Sequence, residues 1–142
     1  MDFNSGLSMQ GRLTIALNDE VVQEIDNLVV TTGKGYVASR MKDATATAMS
    51  HMAVGTGSTA AAAGDTALGN ESARVALTST TVSGADVVYV ATFGAGTGTA
   101  ALTEAAVLNA SSSGTMLCRT VFPVINKSSS DSMVITWTVT AS

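Results

Sequence analysis

Ser132–Thr140 reads SMVITWTVT. Met133, Ile135, Trp137 and Val139 fall on one side of an extended chain, and Val134, Thr136, Thr138 and Thr140 on the other. That period of two marks a strand with one face in a core and a threonine-rich face outward. The pattern recurs outward from there. Val87, Tyr89, Ala91 and Phe93 alternate with Val88, Val90 and Thr92, and Leu13, Ile15 and Leu17 alternate with Arg12, Thr14 and Ala16. The turn-forming pair Asn18-Asp19 leads from the latter into a second strand, Val21–Val30. Arg74–Val82 predicts another single strand, with Val75 and Leu77 inward and Thr78 and Thr80 outward, and His51–Val54 a short one.

Ala100–Leu108 and Thr115–Phe122 flank a serine-rich loop, Asn109–Gly114, and predict a hairpin. With Leu108 opposite Thr115, Ala106 faces Leu117 and Glu104 faces Arg119. Opposite charges then meet across the ladder, which favours that register and makes Glu104 and Arg119 a candidate structural ion pair. Lys34–Lys42, with Tyr36, Val37 and Met41 near helical spacing, predicts one short helix. Gly55–Gly69 (GTGSTAAAAGDTALG) reads as a small-residue loop. Together these elements predict an all-β chain: an antiparallel β-sandwich, jelly-roll or Ig-like, with one short helix. The expected organisation is an N-terminal arm over residues 1–11 and a single sandwich domain over residues 12–142.

The composition suits an ordered chain with small side chains. Hydrophobic residues make up 46%, so the chain lies outside the low-hydrophobicity, high-charge class of disordered proteins. Aromatic residues are only 4%, and a core so poor in bulk gains by burying further surface against neighbours. A net charge of −4, with few and scattered Lys and Arg, argues against nucleic acid as a partner. No run approaches the apolar length of a membrane helix, and Met1–Arg12 lacks the basic start and apolar run of a secretory signal, so a soluble chain is expected. Cys118, the one cysteine, has no internal partner and fits a reducing compartment; it is expected to act as a small core hydrophobe beside Met116, Thr120 and Phe122.

Gly55-Thr-Gly57-Ser-Thr-Ala60 superficially matches a dinucleotide-binding fingerprint. The true motif needs a βαβ unit and a parallel sheet, whereas alternating strands follow here. Gly33-Lys34-Gly35 lacks the spacing of a phosphate loop, and Gly94–Gly98 reads as a strand connection. His51 stands between Met49 and Met52 with no nucleophile elbow in the chain, and one His plus one Cys cannot furnish four zinc ligands. Asp19, Glu20, Glu24 and Asp26 predict a solvated or partner-facing acidic edge, without the spacing of a calcium loop. No catalytic residue, cofactor site or metal site is therefore expected, and the chain reads as non-enzymatic.

Ser50–Leu77 (SHMAVGTGSTAAAAGDTALGNESARVAL) and Tyr89–Val139 (YVATFGAGTGTAALTEAAVLNASSSGTMLCRTVFPVINKSSSDSMVITWTV) resemble a pattern met in tailed-phage virion proteins. Asn18–Met41 is similar to the N-terminal part of the same proteins. The most specific pieces are MAVGTG, GDTALGNE, the LTEAAVLNA…GTMLCRT hairpin and the closing ITWTV strand. Hairpins of that kind, acidic residue first and basic on the return strand, resemble the anchoring regions of some tail-fibre proteins. The resemblance implies a β-rich, oligomeric structural part of the virion, assembled in the host cytoplasm.

The expectation that follows is a capsid decoration (cement) protein on the outer head surface, forming a homotrimer and contacting the major capsid protein or other virion proteins. A tail, collar or fibre-attachment protein of the same particle is the alternative. A small enzyme or sugar-binding module would want surface aromatics, and only Tyr36, Tyr89 and Trp137 are on offer, two of them predicted inward. In the arm, Phe3, Leu7 and Met9 are the candidate partner-contacting residues.

Overall fold

The computed structural model describes residues 8–142. In chain order it comprises β1 (Met9–Leu17), β2 (Glu20–Val29), α1 (Thr31–Lys42), β3 (His51–Gly55), β4 (Glu71–Ala76), β5 (Ser79–Ser83), β6 (Asp86–Phe93), β7 (Ala100–Leu108), β8 (Met116–Lys127) and β9 (Met133–Ala141). The strands pair antiparallel in the order β4-β3-β7-β8-β2-β1-β9-β6-β5, so the chain is all-β with one helix. β2 pairs along its length with β1, but only its last two residues reach β8, through Leu28↔Arg119 and Val29↔Cys118. A strand that passes in this way from one half of a sheet to the other forms a corner. The sheet curls there, and Leu13, Ile15, Ile135 and Trp137 of one half share a core with Met52, Val54, Leu102 and Val107 of the other.

β9 lies between β1 and β6 and is paired on both sides over its length. Met133, Ile135, Trp137 and Val139 are all buried, which is the alternation their sequence carries. Leu13 and Tyr89 flank Trp137 in register. The β1–β2 turn is equally local in origin. Asn18 and Asp19 both take positive φ, 50° and 67°, the left-handed pair that matches the twist of a two-residue hairpin.

Four expectations need correction. Arg74–Val82 is two strands, β4 and β5, at opposite ends of the strand order. The chain crosses over at consecutive amides: Leu77 N–H donates to the Ser50 carbonyl beside one half, and Thr78 N–H to the Val90 carbonyl in the other. Alternation continues through such a crossing, so periodicity does not reveal it.

The β7–β8 register is also displaced. Leu108 faces Met116, Ala106 faces Arg119 and Glu104 faces Val121, with irregularities at Leu102/Glu104 and Val107/Leu108. Asn109 and Thr115 close the loop instead, the Asn109 side-chain oxygen accepting the Thr115 N–H at 2.7 Å. Pairing lapses again opposite Pro123, which has no N–H to give, and β8 then resumes to Lys127.

The helix starts at Thr31, three residues before the expected Lys34. Finally, Met9–Gly11 are not part of an arm: they pair with Ala141, Thr140 and Val139 at the C-terminal end of β9. Three consecutive ladder positions outweigh the polar, glycine-containing composition that suggested a free segment. Phe3, Leu7 and the rest of residues 1–7 lie outside the described residues.

α1 covers little. Gly33 is its one buried residue, and a Cβ there would run into the Leu117 carbonyl of β8. Thr32 Oγ1 donates to the Met116 carbonyl at 3.1 Å, and Tyr36 and Val37 pack against the core.

Candidate functional site

Glu104 on β7 is fully buried, as is Arg119 on β8 at 2% exposure. The displaced register makes them diagonal neighbours on the outward face of the β3–β7–β8 half, and the guanidinium still reaches the carboxylate. Arg119 Nη2 donates to Glu104 Oε1 at 2.9 Å and Nε at 3.3 Å.

The remaining acceptor positions of Glu104 are taken by the loop that connects β3 to β4. Gly69 N–H donates to Oε1 at 2.8 Å, and Gly57 and Asn70 N–H each donate to Oε2 at 2.7 Å. Arg119 in turn holds the loop from beneath, through Asp65 at 2.8 Å and the Thr59 carbonyl at 2.9 Å. Thr103 Oγ1 donates to the Gly57 carbonyl at 2.7 Å. Loop residues 56–70 are thus clasped by two buried, opposite charges at five points of their own backbone and side chains.

This clasp explains the glycines of the misleading GTGSTA motif. A Cβ at Gly55 would come within 2.7 Å of Glu104 Oε2, and one at Gly57 closer still. Backbone amides need that close approach to bind an anion, as they do in phosphate-binding loops. Here the anion is the protein's own carboxylate. Burial pushes the Glu104 carboxyl up, but the N–H groups of Asn70 and Gly69, the Arg119 guanidinium and the Gly57 N–H outweigh it. The carboxyl is held below its ordinary range and stays ionised. With both oxygens occupied by two or more donors, it is a structural anion and not a free acid or base.

Beside the charges, Val30, Ala53, Ala106, Leu108 and Met116 form a small apolar cluster of their own, against which Leu68 of the loop packs. Thr31 N–H donates to the Ala63 carbonyl, fastening the far side of the loop to the start of α1. The loop's outward surface is built mainly of Ser58, Thr59, Ala60, Ala62, Ala63, Thr66 and Ala67, all exposed, with Gly64 and Asn70 exposed beside them.

The other residues singled out by sequence lie elsewhere. Met9 is partly buried against the main core at the start of β1. His51 lies on β3 between β4 and β7, its Nδ1 2.7 Å from Ser50 Oγ. Cys118 is fully buried, and burial pushes its thiol far above the usual range. Arg12 lies 3.7 Å from Glu24 and 3.6 Å from Asp26, in exposed pairs. Trp137 and Tyr89 are buried in the core, and Tyr36 of α1 is partly buried against it with its hydroxyl accepting the Met49 N–H. Among the described residues, no three His, Cys, Asp or Glu side chains gather as a metal ion would require.

Sequence reasoning named Glu104 and Arg119 but missed Gly57, Asp65, Gly69 and Asn70, which complete the clasp. The glycine spacing was the available signal, since it marks backbone brought close to an anion. It also missed Lys127, whose buried ammonium donates to the Gly94 carbonyl at 2.8 Å. Compared with family models, curated proteins and solved structures, the chain finds no match in any of the three.

Proposed function

We propose that this chain is a non-enzymatic structural protein of a tailed-phage particle, a capsid decoration (cement) protein that binds the outer head surface as a trimer. The observation that carries the reading is the clasp. Two buried charges and three backbone donors are committed to holding one outer loop still, and the surface so fixed is mainly Ser, Thr and Ala. Buried ion pairs contribute little net stability compared with apolar packing, so their use here points to specifying a shape. A rigid surface of small side chains lets another protein's backbone approach closely and loses little entropy on docking. That suits permanent packing on a shell of major capsid protein. The curled sheet, read in the same way, is an antiparallel sandwich of the jelly-roll or Ig-like kind, since the chain passes between its halves after β4, β6 and β8.

One observation favours a second reading, a tail, collar or fibre-attachment protein. Glu104 and Arg119 sit on the hairpin whose acidic-then-basic pattern resembles fibre-anchoring regions. Imaging particles that carry a labelled copy of this chain separates the two. Density over the head supports the cement protein; density at the neck or tail supports the second; unlabelled particles reject both.

A further inference from the structure

The exposed charge of this molecule is segregated. Of its seven Lys and Arg residues, Arg119 and Lys127 are buried, Arg74 is bonded to Glu71, and Arg12 lies between Glu24 and Asp26. The other three, Lys34, Arg40 and Lys42, all stand exposed on α1, which holds no acidic residue of its own; Asp43 at its C-terminus lies 3.8 Å from Lys42. Between Arg40 and Lys42, Met41 is 77% exposed, the largest value among the bulky apolar residues described. A shallow groove of about 340 Å³ runs along this side of the helix, lined by Ser8, Met9, Lys34, Val37, Ala38 and Met41.

The tip of the β1–β2 hairpin has the opposite sign. Its register slips at Ile15/Ala16, where Ile15 faces Gln23 and Ala16 faces Val21, so Val22 has no ladder partner. The bulge leaves Val21 and Val22 57% and 41% exposed side by side, with Asp19, Glu20 and Glu24 exposed around them. Bulges re-aim side chains in this way. Each patch is an apolar centre inside a charged rim, the common anatomy of a protein contact, and the two rims are opposite in net charge, counting Asp43 beside Lys42 and Arg12 beside Glu24.

The patches lie at opposite ends of β2, whose ten residues span about 33 Å, so one copy cannot bring its own two together. We propose that they are the two sides of a single head-to-tail contact between copies of this chain, with the valine tip of one hairpin seated in the α1 groove of the next. This deepens the proposed function and rests on its self-assembly. A trimer with threefold symmetry needs just such a contact between two different patches, because an isologous contact closes at two.

The test is sedimentation of the purified full chain, with three variants. Lys34→Glu with Lys42→Glu reverses the groove, Glu20→Lys with Glu24→Lys reverses the hairpin, and the third chain carries all four changes. The wild type is expected to sediment as a trimer. Each double variant should dissociate roughly a hundredfold more easily, since it sets like charges face to face. The four-change chain, whose charges are complementary again, should return to the trimer, which also excludes misfolding as the cause of the losses. A wild-type monomer at tens of micromolar, or double variants that keep the wild-type mass, overturns the inference. Deleting residues 1–7 tests the other occupant of the groove: an unchanged trimer supports the hairpin, and a lost trimer overturns it. Particle imaging remains independent. Labelled particles with charge-insensitive trimers reject this contact alone, and a charge-sensitive trimer that labels no particle rejects the virion reading alone.

Discussion

Replacing Glu104 by alanine should be the most damaging change available outside the main core, and more damaging than replacing its partner. Arg119→Ala removes the guanidinium but leaves a carboxylate that still accepts the N–H groups of Gly57, Gly69 and Asn70. Breaking a buried ion pair costs about 3–5 kcal/mol when the survivor is left bare, and this survivor is not bare. The expected loss is therefore about 3 kcal/mol. Glu104→Ala leaves Arg119 in the interior with only Asp65 and the Thr59 carbonyl, and it orphans three backbone donors at about 1 kcal/mol or more each. The expected loss is about 5 kcal/mol. The double variant removes the stranded cation but restores none of the orphaned amides. It should lose about 5 kcal/mol as well, about 3 kcal/mol short of the sum of the singles, the coupling expected of contacting residues.

Urea unfolding followed by the fluorescence of Trp137, the sole and fully buried tryptophan, measures all three losses. Amide exchange at Gly57, Gly69 and Asn70 reports on the loop separately, and in Glu104→Ala these amides should exchange while those of β9 stay protected. The reasoning fails if Glu104→Ala lies within 1 kcal/mol of the wild type with those amides still protected. It fails equally if Arg119→Ala proves the costlier of the two.

The clasp also predicts a pH dependence. Because the folded-state pKa of Glu104 is depressed, its contribution is fully present above the unfolded value of about 4.3 and drains away as pH falls below that, through the folded value. The acid limb of the stability curve should accordingly be steeper in the wild type than in Glu104→Ala; parallel limbs would contradict the assignment. Cys118 should resist thiol reagents in the native state and label only at the rate of global unfolding, so fast native labelling would show that its strand junction opens locally. Deleting residues 1–11 should lower the melting temperature because it removes three ladder positions of β1; an unchanged melting temperature would contradict the Met9–Gly11 pairing.

The strands were legible wherever one face is buried and the other wet. Leu13, Ile15, Tyr89, Ala91, Phe93 and the four apolar residues of β9 all point inward as their alternation requires. Legibility failed where a choice depends on the partner. Nothing within Arg74–Val82 says that Leu77 and Thr78 bond to different halves of the sheet, because that is decided by the positions of Ser50 and Val90. The β7–β8 register failed for a related reason. Facing charges pull toward direct opposition, but Asn109 closes the loop on Thr115 and a bulge absorbs the odd residue, at no loss to an arginine long enough to reach diagonally.

The GTGSTA motif shows why a glycine signature constrains geometry more firmly than it constrains a ligand. Gly55 and Gly57 are required because backbone and an anion must approach without a Cβ between them. That requirement is the same for a pyrophosphate from solution and for Glu104, 47 residues further along the chain from Gly57. The surrounding fold decides between them. A phosphate loop feeds a helix, whose N-terminus faces the open end of a parallel sheet. Here the loop runs between antiparallel strands and lies flat on a face where β7 already presents a carboxylate backed by Arg119. An anion from outside would have to displace a carboxylate that is covalently part of the chain, desolvated and already paired. The amides are therefore spent on architecture, and what the loop has left to offer a partner is its outward surface of small side chains.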